Sequence, residues 1–235
     1  MSEWTQKRFW TQATVAAHDN GFAVELDGRS VKTPAKQLLT LPTHALADAI
    51  AQEWDAQDKV VAPDTMPLTR LANSALDKVS VQLEDVAALL AEYGGSDLLC
   101  YRAVGPEALI DRQKAAWDPL LAWASRALAV DLHQQIGVMP IAQPAESLTK
   151  IDEHTALFDA WQLTAFHEFV TLTGSWVIGM ACVIGSYPAQ DLWDSAMVDD
   201  IFQAEIWGQD EEAVDVRARK QAAFLTADRF LRLCR

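Results

Sequence analysis

GFAVELDGRSVKTPAKQLLTLPTHALADAI, residues 21–50, changes its hydrophobic rhythm partway along. In the first half apolar and polar side chains alternate, the period of a strand with one covered face. Asp27-Gly28 reads as a two-residue hairpin turn into RSVKTP, because both residues tolerate the positive φ that twisted strands demand of so short a turn. QLLTL, 37–41, reads as one more short strand. Pro42-Thr43 then opens a helix on which Leu46, Ile50 and Trp54 recur four apart and form one apolar stripe. Upstream, FWTQATVAA (9–17) alternates as well; downstream, everything after Pro67 reads helical. Strands followed by helices, with no βαβ alternation, imply an α+β fold. The expectation is a small N-terminal antiparallel β-rich domain with one helix, 1–66, and a larger, mostly α-helical C-terminal domain, 67–235, read as all-helical.

Within the helical part, LTRLANSALDKV is followed by VQLEDVAALLAEYG, with Gly94-Gly95 read as its C-terminal stop. EALIDRQKAAW runs into Asp118-Pro119, read as a cap and first-turn proline that start a new helix, LLAWASRALAV. A proline-containing loop, GVMPIAQP, leads to the long segment ESLTKIDEHTALFDAWQLTAFHEF. Two helices, DLWDSAMVDDIFQAEI and EEAVDVRARKQAAFLTADRFLRL, close the chain. FVTLTGSWVIGMACVIGSYPAQ, 169–190, carries no charge and is long enough to span a bilayer. Its Thr, Ser, Gly, Pro and Gln content and its acidic flanks favour instead a helix packed on all sides within a soluble domain.

Half of the 235 residues are apolar and 22% are charged, a globular composition. Thirty-three acids against nineteen Lys and Arg give a net charge of −14, which argues against nucleic acid as a partner, because phosphate binding needs a basic face. The charge is concentrated: between Lys150 and Arg217 there are thirteen acids and no Lys or Arg. Such a block solvates a helical face, or steers a basic partner patch to it. Cys100, Cys182 and Cys234 are too few and too scattered for a disulfide framework or a zinc site, and fit a reducing compartment. The N-terminal run MSEWTQKRFWTQ has neither an apolar signal core nor an Arg/Ser-rich leader.

Known catalytic patterns do not assemble. Gly94-Gly95-Ser96 lacks the lysine of a phosphate loop, and no GxGxxG follows a strand. His167-Glu168 opens like a zinc-protease helix, but Thr171 stands where the second histidine belongs. Ser147 and Lys150 match S-x-x-K spacing without its companion motifs. No catalytic residue, cofactor or metal is assigned. Aromatic usage does stand out: nine tryptophans, several beside charge or a turn, including Trp54, Trp117, Trp193 and Trp207. Each is either core or a protein-binding anchor, core being the commoner fate. Met66 is open to the same two readings.

EWDAQDKVVAPDTMPLTRLANSALD, 53–77, resembles the signature of the assembly chaperones that attend the α subunit of the F-type ATP synthase catalytic head. GRSVKTPAKQLLTLP, SDLLCYRA, RQKAAWDPLLAWA, LTGSWVIGMA and FQAEIWGQDEEA resemble the same family in the same order, from about Arg8 to near the C-terminus. The resemblance implies a β-rich N-terminal domain, a helical C-terminal domain and a non-enzymatic function. It implies binding of the unassembled α subunit, shielding of the surface that β later covers, and release as the ring forms. Eukaryotic members work in mitochondria behind a targeting leader, so the resemblance implies a bacterial cytoplasmic member or a matured chain. Charge and composition, read above, imply no nucleic acid partner and no stable membrane insertion. The partner-binding candidates are Trp54 and Asp55 in the WDAQ block and Gln203, Glu205 and Trp207 in the FQAEIWG block. Glu205 is an acid on the last turn before Gly208, poorly placed against the helix dipole, which hints at a role beyond stability. Two alternatives remain: a hydrolase using the carboxylates or Ser147 and Lys150, and a small-molecule carrier with an aromatic helical interior.

Overall fold

The computed structural model describes residues 7–208 and 210–235. The first half of MSEWTQKRFWTQ and Gln209 of the FQAEIWGQDEEA block lie outside the described residues. The chain forms two compact units, Met1–Gln82 with Arg229–Arg235, and Leu83–Asp228. The fold class is α+β, with a small antiparallel sheet ahead of a mostly helical region.

In the first unit, β1 (Ala13–His18) and β2 (Gly21–Leu26) pair antiparallel from Ala13↔Leu26 to His18↔Gly21. β3 (Arg29–Ser30) comes after the Asp27-Gly28 turn, whose φ angles of 49° and 79° are those the dipeptide was read for. β4 (Thr40–Leu41) pairs with β2 at Phe22↔Leu41. α1 (His44–Asp55) packs on β1 and β2. Thr43 caps it by accepting the Leu46 N–H at 3.1 Å, and Leu46, Ile50 and Trp54 are buried. Sheet face and helix stripe thus cover each other, as the two periodicities require.

The last turn of α1 also fixes the start of the next helix. α2 (Pro67–Ser74) begins at buried Met66, which offers no side-chain cap. Glu53 supplies one from α1: its carboxylate accepts the N–H groups of Leu68 (2.7 Å) and Thr69 (2.8 Å) and the Thr69 hydroxyl (2.7 Å). An anion at a helix N-terminus satisfies orphan donors and complements the dipole. One turn on, buried Gln57 holds the Pro-rich loop, accepting from Ala62 N–H at 2.7 Å and donating to Thr65 Oγ1 at 3.0 Å. α2 runs into a π-helical turn, Ala75–Val79.

The second unit is built on α3 (Leu83–Ala91), the short β5 (Tyr101–Arg102), α4 (Glu107–Leu128) and the short β6 (Gln135–Ile136). Next come α5 (Ala145–Ala156), α6 (Ala160–Thr173), α7 (Trp176–Ile184) and α8 (Ala189–Ala196). α9 (Val198–Trp207) and most of α10 (Glu211–Leu233) complete it. β5 and β6 form a parallel pair inside the region that the sequence reads as helical.

The helical readings need several corrections. Asp118-Pro119 does not start a helix: α4 runs through it without a break. Pro119 and Ala115, whose carbonyl loses its N–H donor, both face solvent, while Gln113, Trp117, Leu120, Leu121 and Ala124 keep one buried stripe across the proline. Packing along that stripe offsets a proline cost of about 3 kcal/mol. Asp118 pairs with Arg102 Nη2 at 2.8 Å instead of capping. Gly94-Gly95 sits in a 3₁₀ turn, Glu92–Ser96, with no left-handed stop. Gly94 is there for close approach, since a Cβ would lie 2.4 Å from Ile151 Cδ1. ESLTKIDEHTALFDAWQLTAFHEF divides into α5 and α6 at Asp159, whose capping box with Gln162 starts the second helix.

The uncharged run 169–190 is not one helix. Gly174 ends α6 at φ 71° and Ser175 caps α7, of which only Ile184 is not buried. No described helix is long and apolar enough to cross a membrane. DLWDSAMVDDIFQAEI breaks at Met197, and Asp199 and Asp200 then fall on the first turn of α9, where a dipole favours acids.

Candidate partner-binding surface

Trp54 and Asp55 belong to the first unit. Trp54 is 9% exposed and meets Trp10 edge to face at 5.3 Å between ring centroids. Its indole N–H is buried with no partner among the described residues. Asp55 is half exposed, accepts the Ala13 N–H at 2.8 Å and lies 3.7 Å from Arg8 Nη2. Arg8 also donates to the carbonyls of Asp55 and Gln57. Both residues of the WDAQ block therefore have work inside the unit, tying α1 to β1 and to the N-terminal segment.

Gln203, Glu205 and Trp207 belong to α9 in the second unit, and all three are exposed. α9 is fixed to α4 along its length. Asp199 accepts from Gln113 Nε2 at 2.7 Å, and buried Gln113 in turn accepts the Ala103 N–H at 2.8 Å. Just upstream, Trp117 Nε1 donates to the Ser195 carbonyl at 2.7 Å. Phe202 is buried, with the Arg112 guanidinium 5.1 Å over its ring. Arg112 Nη2 also meets Glu205 Oε2 at 2.7 Å, and this bond and its charge hold the Glu205 carboxyl below the usual range. The cation that the last turn of α9 lacks thus comes from α4.

Beyond Glu205 the helix ends in open apolar surface: Ile206 is 55% and Trp207 77% exposed. Trp207 also walls a groove of about 360 Å³ between α9 and the start of α10, with Met197, Ala204 and Val216 among its apolar lining and Asp200, Gln203 and Lys220 among its polar lining. A second, shallower groove of about 400 Å³ runs between α4 and α9, lined by Arg112, Ala115, Ala116, Asp194, Val198 and Ile201. The surface offers an aromatic anchor, apolar recesses on either side and a rim of mixed charge, Asp200, Asp210, Arg217 and Lys220 at one groove and Arg112 and Asp194 at the other, the components of a protein-binding site. Trp54, Trp117 and Trp193 are buried, so of the four tryptophans beside charge or turns only Trp207 faces out. Met66 is core. Sequence reasoning missed Arg112 and Gln113, because nothing local on α4 announces contacts to a helix about ninety residues later.

Ser147 and Lys150 do not form a nucleophile pair. Ser147 Oγ is buried, donates to the Asp131 carbonyl at 2.7 Å and accepts the Asp131 N–H at 3.0 Å, while Lys150 Nζ bonds Glu153 Oε2 at 2.7 Å. The pair braces a loop and a helix surface. Cys100 is buried, and burial pushes its thiol up to about 12, far from a thiolate nucleophile. The aromatic interior is filled: Phe169 and Trp193 meet Phe224 at 5.0 and 5.4 Å, and a Cβ on Gly179 would lie 2.7 Å from Phe166.

Residues 7–125 match the family model described as ATP12 chaperone protein. The crystal structure of Atp12 from Paracoccus denitrificans is 46% identical, with a TM-score of 0.94 over 97% of this chain and 98% of that one. An Agrobacterium tumefaciens protein of known structure is 37% identical, with a TM-score of 0.93 over 98% of this chain and 87% of that one. The mitochondrial protein atp12 of Schizosaccharomyces pombe is 24% identical, across 89% of this chain and 76% of that protein.

Proposed function

This chain belongs to the ATP12 chaperone family, whose role is in ATP synthase assembly, and from that premise we propose that it holds the unassembled α subunit of the F-type enzyme. On this reading it covers α-subunit surface that would otherwise aggregate, then yields the subunit to β as the catalytic ring forms. The compartment is the one in which that ring assembles, the cytoplasm for a bacterial member. No cofactor and no catalysis take part.

The observation that carries the reading is the end of α9, where a tryptophan 77% exposed stands beside Ile206 within an acidic block. A monomer with no use for that surface would lose solubility by exposing it. Trp207 is the anchor and Gln203 its polar edge, Glu205 offers a carboxylate on the side of α9 that faces Arg112, and Trp54 and Asp55 contribute by holding the shape of the first unit. Such a holder needs an affinity of about 1 μM to 10 nM, tight enough to suppress aggregation and weak enough to release. Light scattering of isolated α subunit tests it. An equimolar amount of this protein should suppress aggregation; scattering identical with and without it contradicts the proposal.

A further inference from the structure

Glu205 lies in an interval without Lys or Arg, yet it carries an ion pair, made by Arg112 from α4. The pair is half exposed on both sides, 45% and 51%. Exposed pairs of this kind are weak and exchange readily with other charges. Glu205 stands one turn after Ile201 on α9, and Ile201 and Arg112 both wall the apolar groove between α4 and α9, whereas Trp207 points to the other side of the helix. A carboxylate beside an aliphatic recess is complementary to a segment that carries a cation beside an apolar side chain.

We infer that Arg112 is an internal stand-in: in the free protein it occupies Glu205, and on binding a Lys or Arg of the client takes Glu205 from it. The client's neighbouring aliphatic side chain enters the groove lined by Ala115, Ala116, Val198 and Ile201. No net charge is buried uncompensated, because Glu205 changes one cation for another while Arg112 turns to solvent and to Asp194 on the same groove wall. The free protein thereby keeps its carboxylate satisfied, and binding of the client is moderated by a built-in competitor. This rests on the reading that the α subunit is the client.

The test is the affinity of purified α subunit for wild type, Arg112→Met, Glu205→Gln and the double variant, measured by titration calorimetry. Met keeps an apolar stem over Phe202 but cannot pair, and Arg112→Gln repeats the test with a different stem. Both single Arg112 variants should bind roughly two- to fivefold tighter, the equilibrium factor of one exposed ion pair. Glu205→Gln should bind more weakly, and adding Arg112→Met to it should change nothing further. A purely structural Arg112 would weaken binding when removed, the opposite sign. Unchanged or weaker binding by both Arg112 variants overturns the exchange while leaving the client intact. No binding by the wild type overturns the client as well.

Discussion

Two tryptophans show how position decides what a residue does. Trp54 is packed on Trp10 inside the first unit, and its N–H has no partner among the described residues, so the indole nitrogen adds cost rather than stability. Trp207 is 77% exposed and only edges a groove. Trp54→Phe should hold the α subunit like wild type, whereas Trp207→Ala should keep the wild-type melting temperature and lose about 2 kcal/mol of binding, the scale of an aromatic anchor. A surface plasmon resonance series on the α subunit reads both, and the reverse pattern would move the contact to the WDAQ block. Asp97 makes a different residue-scale case. It is fully buried, and desolvation pushes its carboxyl up to about 6, against the hydrogen bonds from Val177, Leu99 and Ser175 that favour the anion. Because the folded state holds the proton more tightly, Asp97's contribution is fully present below the unfolded value near 3.8 and is lost as pH rises through about 6. The stability gap between wild type and Asp97→Asn should therefore narrow by roughly 2–3 kcal/mol from pH 4 to pH 7 in urea unfolding. A constant gap would show that Asp97 does not titrate there.

At the scale of elements, local chemistry is legible in the sequence and non-local chemistry is not. The Asp27-Gly28 turn, the Thr43 cap and the Leu46/Ile50/Trp54 stripe depend on neighbours within a few residues, and each forms as the sequence states. Gly174-Ser175 and the Asp159 capping box are equally local signals, masked because an uncharged run and a long helical pattern speak of length rather than punctuation. Pro119 misleads because a proline's cost is local while its compensation, the stripe from Gln113 to Ala124, comes from the packing of the whole helix. The Glu53 cap on α2 and the Arg112–Glu205 pair join residues that sequence spacing cannot bring together. In the candidate site the same division holds: Trp207 is visible as an aromatic beside a helix end, its supporting residues on α4 are not. Close helix packing gives the element-scale prediction. A methyl on Gly179 would meet Phe166 and Val170 at 2.7 and 2.8 Å, so Gly179→Ala should destabilise by about 1–3 kcal/mol in urea unfolding. Gly95, with nothing within 4 Å, should accept alanine without loss.

For the whole molecule, the proposed function has the acidic block and the apolar end of α9 divide the labour of recognition. Charge raises the rate of encounter with a basic patch and discourages wrong partners, while the tryptophan supplies binding energy once contact is made. Neither term needs to be large, because a chaperone that bound with the strength of a permanent interface would block assembly. In the proposed function this protein occupies α-subunit surface in place of β. The most direct measurement is size-exclusion chromatography of the preformed complex with α subunit as purified β is added. This protein should elute free in proportion to β while α moves into an α–β species; a stable ternary complex, or no complex with α at the outset, would contradict that exchange.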